Sequence, residues 1–301
     1  LSVSAGGEKA NFTAGFSRMD NAGIAPYNEV ARTSVNVGGN AQLDNGLFIS
    51  GSINYVRTDL TSPPLGGLYT GSTSIMERLL YTPPNVNVAG YPIEDAEGNT
   101  AFYRSDNDNP YWLAKYAPHT SEVDRYYGKI SVGYDLFDWL NVTYQAGFNA
   151  YTDHRINVIP ASSNAFPTGR IVQDDIGYRE LDGNLIFTAN TDLSEDFNLK
   201  VIAGHNANAR TFDRQSYQGT GIIVRGIHDL DNTQSVIPNG GGLEEVRYQG
   251  VYADAGLSYR NYAFLNVSGR NDWHSGLPVG KRSFFYPAVS GSLIFTDTLE
   301  L

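Results

Sequence analysis

The sequence predicts an all-β chain: an up-and-down antiparallel transmembrane β-barrel, here about eleven strands forming a half barrel with long outer loops. Three observations carry this. Apolar and polar residues alternate with period two along most of the 301 residues. The connections between these segments alternate short and long. No run approaches the roughly 18–20 apolar residues of a membrane helix, a test that a barrel escapes because its strands alternate.

Taken in order, the chain opens on Leu1-Ser2-Val3-Ser4, which reads as the middle of a strand, and turns near Glu8-Lys9. A further short turn falls at Asp44-Asn45-Gly46, where Asn and Gly suit a tight hairpin. The strand near Arg125 sets Tyr126, Ile130, Val132 and Tyr134 against Lys129, Ser131 and Asp135. After Trp139, Leu140, Val142, Tyr144, Ala146 and Phe148 share one face and Asn141, Thr143, Gln145, Gly147 and Asn149 the other. Leu185, Phe187 and Ala189 alternate with Asn184, Thr188 and Asn190, with Ile186 out of pattern. Val251, Ala253, Ala255 and Leu257 form a lipid-facing row, and Asp254 and Ser258 face the lumen.

Short connections fall also near 137–139, 194–196 and Asn261; long ones are expected at 21–29, 61–123, 158–176, 219–243 and 276–283. Every long connection is followed by a short one. Short turns at one end and long loops at the other are the habit of outer-membrane barrels, and Greek-key returns would break that parity. The largest insert, 61–123, is read as an extracellular loop; residues 74–80 have an N-cap and helical spacing, and Pro83-Pro84 stops the helix. Trp139, Tyr144 and Tyr134 sit where an interfacial aromatic girdle would place them.

Composition excludes other classes. A net charge of −11 argues against nucleic acid as a partner, and the absence of cysteine removes disulfides, thiolate metal sites and thiol catalysis. The five histidines are scattered, and no nucleophile elbow, phosphate loop or metal-ligand spacing is present. Glu244 and Glu245 are neighbours on a strand and point to opposite faces, so they cannot converge on one glycosidic bond. No enzyme activity, cofactor or metal is expected. The run Asp106-Asn107-Asp108-Asn109 lacks the Gly and acidic positions of a calcium loop and is read as a solvated turn.

Five residues are candidates for touching cargo. Tyr111 and Trp112 lie in the long insert, where their rings could stack on sugars or pack the loop onto the rim. Arg270 and Asp272, opposite Leu265 and Val267, could contact cargo in the lumen or form a structural ion pair there, with Trp273 beside them.

Three stretches carry a family resemblance. Residues 264–273, followed by Leu277-Pro278 and then by residues 282–290, closely resemble a barrel hairpin of the SusC/RagA-like TonB-dependent transporters. Asn109-Pro110-Tyr111-Trp112 ahead of residues 124–128 resembles an earlier outer loop and strand of that family. Gly6-Gly7-Glu8-Lys9-Ala10-Asn11-Phe12 through Gly23-Ile24 resembles the first barrel hairpin after the plug.

The resemblance implies a plugged barrel of about 22 strands in the outer membrane of a Gram-negative bacterium, surrounded by outer-membrane lipids. It implies import of oligosaccharide or peptide fragments, energised by TonB, with a SusD-like lipoprotein as lid. No plug domain, TonB box or amino-terminal extension is read in the chain. Residues 1–301 are therefore expected to be a fragment of one barrel domain, coupled to TonB through a missing N-terminal part. Two alternatives stand beside this: a TonB-dependent siderophore or cobalamin receptor, and a soluble β-rich glycan-binding or adhesion module.

Overall fold

An alternating strand has one apolar and one polar face, and its backbone groups need a neighbour on each side. The computed structural model, which describes residues 1–66 and 74–298, meets both needs with one antiparallel sheet. Its strands are β1 (Ser2–Gly6), β2 (Ala10–Ala22), β3 (Glu29–Gln42), β4 (Leu47–Ser62), β5 (His119–Phe137) and β6 (Leu140–Ile159). They continue as β7 (Arg170–Asp192), β8 (Phe197–Ile222), β9 (Thr233–Tyr259), β10 (Ala263–His274) and β11 (Ser283–Leu293). All eleven pair in sequence order and the sheet is unclosed. β11 ends at Leu293, and after it the chain forms a helical turn, α3 (Phe295–Thr298).

The short and long connections fall at opposite ends, as the parity requires. The hairpin between β9 and β10 shows how a short turn is made. Arg260 (φ 47°) and Asn261 (φ 60°) are both left-handed, and the Tyr262 amide donates to the Tyr259 carbonyl at 3.1 Å. Such a two-residue turn matches the right-handed twist of the flanking strands. Asn tolerates that conformation; Arg260 is held in it by Asp196 of the neighbouring turn, whose carboxylate accepts from its Nε at 2.7 Å.

Two long connections are shorter than expected. The stretches 158–176 and 219–243 contract to 160–169 and 223–232, because β6 and β7 run for 20 and 23 residues around the first and β8 and β9 for 26 and 27 around the second. Pro238 and the glycines 240–242 read as loop signals, yet they lie inside β9 at a bulge where the register with β8 shifts between Gln215 and Tyr217. Gly241 is required there: at φ 135°, an added Cβ would lie 2.3 Å from the Arg214 carbonyl oxygen.

The excursion spans 63–118, within the expected 61–123, and its residues 67–73 lie outside the described residues. It carries α1 (Ile75–Leu80), capped by Ser74 Oγ, which accepts from the Glu77 amide at 3.3 Å. A second helix, α2 (Pro110–Tyr116), starts at Asn109, whose Oδ1 accepts from the Tyr111 amide at 2.9 Å. Ile75, Trp112, Leu113, Ala114 and Ala117 form a small core between them.

Strand register sorts the two faces of the sheet. On one face, Leu47, Ile49 and Tyr55 of β4 pair with Tyr134, Val132 and Tyr126 of β5, and Ile53 and Ile130 lie opposite Gly128 and Gly51. On β9 the same face carries Val251, Ala253, Ala255, Leu257 and Tyr259. Toward the long-loop end the character changes abruptly. Phe16, Val35, Tyr55 and Tyr126 pair side by side, and the next row is Arg18, Thr33, Arg57 and Asp124. Tyr55 stacks at 4.8 Å on Tyr126 and donates its hydroxyl to Asp124 at 2.5 Å. Below that row the apolar face stays open: Ile53 is 51% exposed, Ile130 50% and Leu181 63%.

Candidate functional site

The opposite face is polar, and its densest part spans β7 to β10. Register stacks Glu180, Asp182 and Asn184 of β7 against Arg210, Asn208 and Asn206 of β8. Glu180 accepts from Arg210 Nε at 2.8 Å, from Asn208 Nδ2 at 3.0 Å and from the Tyr178 hydroxyl at 3.0 Å. Asp182 accepts from Asn206 and Asn208 Nδ2, each at 3.2 Å. Asn208 is buried, and its Oδ1 meets no donor among the described residues. A buried acceptor left unpaired calls for a reason, and here it borders a cavity.

Two glycines make this wall flat enough for large side chains to lie across it. An added Cβ on Gly204 would lie 2.3 Å from Cζ of Tyr252, whose ring crosses that position to donate its hydroxyl to Asn184 at 3.1 Å. A Cβ on Gly250 would lie 2.3 Å from Asp272 Oδ1, because the Arg270–Asp272 pair rests over that backbone. Arg270 Nε donates to both Asp272 oxygens, at 2.8 and 2.9 Å, and its guanidinium sits 5.5 Å from the Tyr252 ring. A cavity of about 600 Å³ opens over this surface, bounded by Asp182, Asn208, Arg210, Arg270, Asp272 and Tyr286 among others.

The wall offers donors, acceptors and aromatic flanks at once, which suits a polar fragment rich in amides or hydroxyls. It offers no catalytic pair. Its carboxylates are hydrogen-bonded to Arg or Asn, and among the described residues no group of three or more His, Asp or Glu is placed to hold a metal.

The five sequence candidates fall in three places. Arg270 and Asp272 form the pair just described. Trp273 borders the same cavity at its edge, while alternation and its pairing with Gln249 assign it to the other face. Trp112 is buried in the core of the excursion, 1% exposed, with Nε1 donating to the Gly98 carbonyl at 3.2 Å. Tyr111 is partly exposed and lines a separate apolar cavity of about 570 Å³ with Ile24, Ile75, Met76 and Leu79. Glu180, Asp182, Asn208 and Arg210 were not singled out; their signal, a polar residue at every second position of β7 and β8, was present.

The acidic run 106–109 is not solvated throughout. Asp108 is fully buried and accepts from Ser163 Oγ at 2.6 Å and from the Asn164 amide at 2.7 Å, which ties the excursion to the 160–169 loop. Asp106 bonds Arg104 at 2.6 Å, and that hydrogen bond holds its carboxyl below the ordinary aspartate range. A second tie is Arg225, of the 223–232 loop. It donates to the Glu97 carbonyl at 3.0 Å, to Asn99 Oδ1 at 3.1 Å and to Ser162 Oγ at 2.9 Å.

Among solved structures, the RagAB peptide transporter matches 99% of this chain with a TM-score of 0.82 at 16% identity. The RagAB peptide importer in its closed-closed state matches all of it with a TM-score of 0.80 at 16% identity. The chain has the fold of a SusC/RagA-like TonB-dependent transporter barrel. It spans about a third of the length of those structures, 34% in each case. The ferric preacinetobactin receptor BauA from Acinetobacter baumannii matches 96% of the chain, and 41% of BauA is covered, at 12% identity and a TM-score of 0.55. No family model matches the chain, and no curated protein is similar enough to count as a match.

Proposed function

We propose that the chain is part of the wall of a TonB-dependent outer-membrane importer of a Gram-negative bacterium, taking up peptide or oligosaccharide fragments under a SusD-like lipoprotein lid. The observation that carries this is the fit to the two RagAB structures, TM-scores 0.82 and 0.80, against 0.55 for the siderophore receptor BauA over a similar share of the chain. In this reading the open apolar face meets lipid, the polar wall lines the lumen and the 63–118 excursion faces outward. The excursion, through Tyr111 and its apolar cavity, meets the lid, and Arg270 and Asp272 meet cargo.

The siderophore reading keeps the same barrel and differs in cargo. A soluble adhesion module would need a second layer over the apolar face, and the contacts of the described residues run between adjacent strands, within the excursion, and from the loops to the elements beside them.

Uptake by cells carrying the complete barrel separates these readings. Labelled peptides and oligosaccharides should enter in a TonB- and lid-dependent way, and Arg270→Ala with Asp272→Ala should raise the concentration needed for half-maximal uptake. Uptake confined to ferric chelates would move the assignment to the siderophore receptors.

A further inference from the structure

Half of the sixteen arginines of this acidic chain hold a carboxylate within 2.8 Å. Arg18, Arg57, Arg155, Arg210, Arg214 and Arg270 each hold a carboxylate at 2.6–2.8 Å. Arg247, midway along β9 where β10 ends beside it, and Arg282, in the connection from β10 to β11, do not. Arg247 lies 3.9 Å from Glu245, with both side chains largely in solvent. Arg282 gives its Nε to the Leu277 carbonyl at 2.9 Å and has no carboxylate partner among the described residues.

Their position is specific. Arg247 and Gln249 lie on the apolar-face side of β9, just past the row that begins at Val251, and Gln249 pairs with Trp273. Between Arg247, Gln249, Trp273, His274, Ser275 and Arg282 lies a cavity of about 500 Å³. The His274 ring turns away, 5.0 Å from Tyr248 of the polar face. The frame is fixed: the Ser275 amide donates to the Arg247 carbonyl at 2.9 Å, and Ser275 Oγ accepts from the Arg247 amide at 2.9 Å.

Two guanidiniums without a close carboxylate, beside an interfacial indole where apolar surface ends, have the chemistry of a phosphate clasp at a lipid boundary. We propose that this cavity binds the phosphate headgroup of an outer-leaflet lipid whose acyl chains lie along the Val251 and Val267 rows. Glu245, on the same side of β9, competes for Arg247 and sets a limit on the affinity. The inference rests on the outer-membrane reading above, with the long loops outside.

The complete barrel in detergent is titrated with bisphosphorylated lipid A, with the same lipid stripped of phosphate, and with inorganic phosphate. Bound species are counted by native mass spectrometry. The wild type should retain one phosphorylated lipid in preference to the stripped one. Arg247→Gln with Arg282→Gln should weaken retention by about tenfold, and Arg247→Lys with Arg282→Lys should keep most of it. Equal retention of both lipids, or by the glutamine variant, overturns the proposal. So does inorganic phosphate that binds as tightly as the lipid. Heat-modifiable mobility and membrane insertion are followed in parallel. A barrel that inserts but shows no phosphate preference sinks this inference alone, and one that never inserts sinks the membrane reading beneath it.

Discussion

Replacing Ala255 with arginine tests which face meets lipid. Ala255 pairs with Val201 and Val267 and lies midway along the apolar row from Val251 to Tyr259. Each end is four residues away, about 14 Å along the strand and about 10 Å along the membrane normal for a tilt near 45°. An arginine stem of about 6 Å cannot lift its guanidinium clear of that depth. The full midplane cost of about 2–4 kcal/mol then applies, a shift of roughly 30- to 1000-fold in the folding equilibrium. Ser268→Arg is the counterpart: it sits on the polar face directly opposite Asp254, so its effect should stay within about 0.5 kcal/mol. Equilibrium urea titration of the complete barrel in lipid vesicles, read by tryptophan fluorescence and heat-modifiable mobility, measures both. If Ala255→Arg folds like the wild type while Ser268→Arg does not, the two faces are assigned the wrong way round.

Three further substitutions follow from the packing. Gly204→Ala forces Tyr252 off Asn184 and meets the Leu185 carbonyl at 2.9 Å; it should cost about 1–3 kcal/mol in the same titration, and Tyr252→Ala alongside it should recover part of that loss. At the short-turn end, the hydrogen bond from Arg260 holds the Asp196 carboxyl below its ordinary value. A depressed carboxyl stabilises the fold above its unfolded pKa, about 3.9, and the gain disappears as pH falls through the lower folded value. The stability difference between wild type and Asp196→Asn should therefore be present at pH 7 and vanish on acidification; a difference that grew in acid would refute the pairing. Arg225→Ala should speed amide exchange at 95–99 and 160–163 while leaving the exchange of β8 and β9 unchanged, and unaltered loop exchange would mean the clasp carries no load.

What was legible in the sequence is local. Alternation within a strand, and the turn residues at 44–46 and Asn261, act over a few residues and read directly as strands and hairpins. The Glu180–Arg210 pairing depends instead on the register between β7 and β8, set by the short turn at 193–196. A slip of one residue there would exchange the faces of every later side chain. Pro238 and the glycines 240–242 misled because the same residues serve loops and bulges, and the Arg214 backbone beside them is distant in sequence. Asp108 looked like a solvated acid because its donors, Ser163 and Asn164, come from a loop beyond two intervening strands.

The edge of the apolar surface carries one more piece of physical information. A sheet whose strands are tilted in a flat slab must have its hydrogen-bonded rows cut obliquely by the slab surface. The switch from apolar to charged or polar falls between Tyr55 and Arg57 on β4, between Leu181 and Arg179 on β7, and between Val251 and Gln249 on β9. One row, followed through the pairings, starts at Phe16 and passes Val35, Tyr55, Tyr126 and Ala150. It then reaches Arg179, Thr211 and Glu245, already past the switch on their own strands. Spin labels at Ala150 and at Glu245 therefore share a row and a face but should differ in surroundings, the first relaxed by oxygen dissolved in lipid and the second by a water-soluble nickel chelate. Equal access to the same reagent at both positions would mean that the apolar surface ends along a row, as on a sheet that packs against another layer, and the tilted membrane wall would have to be abandoned.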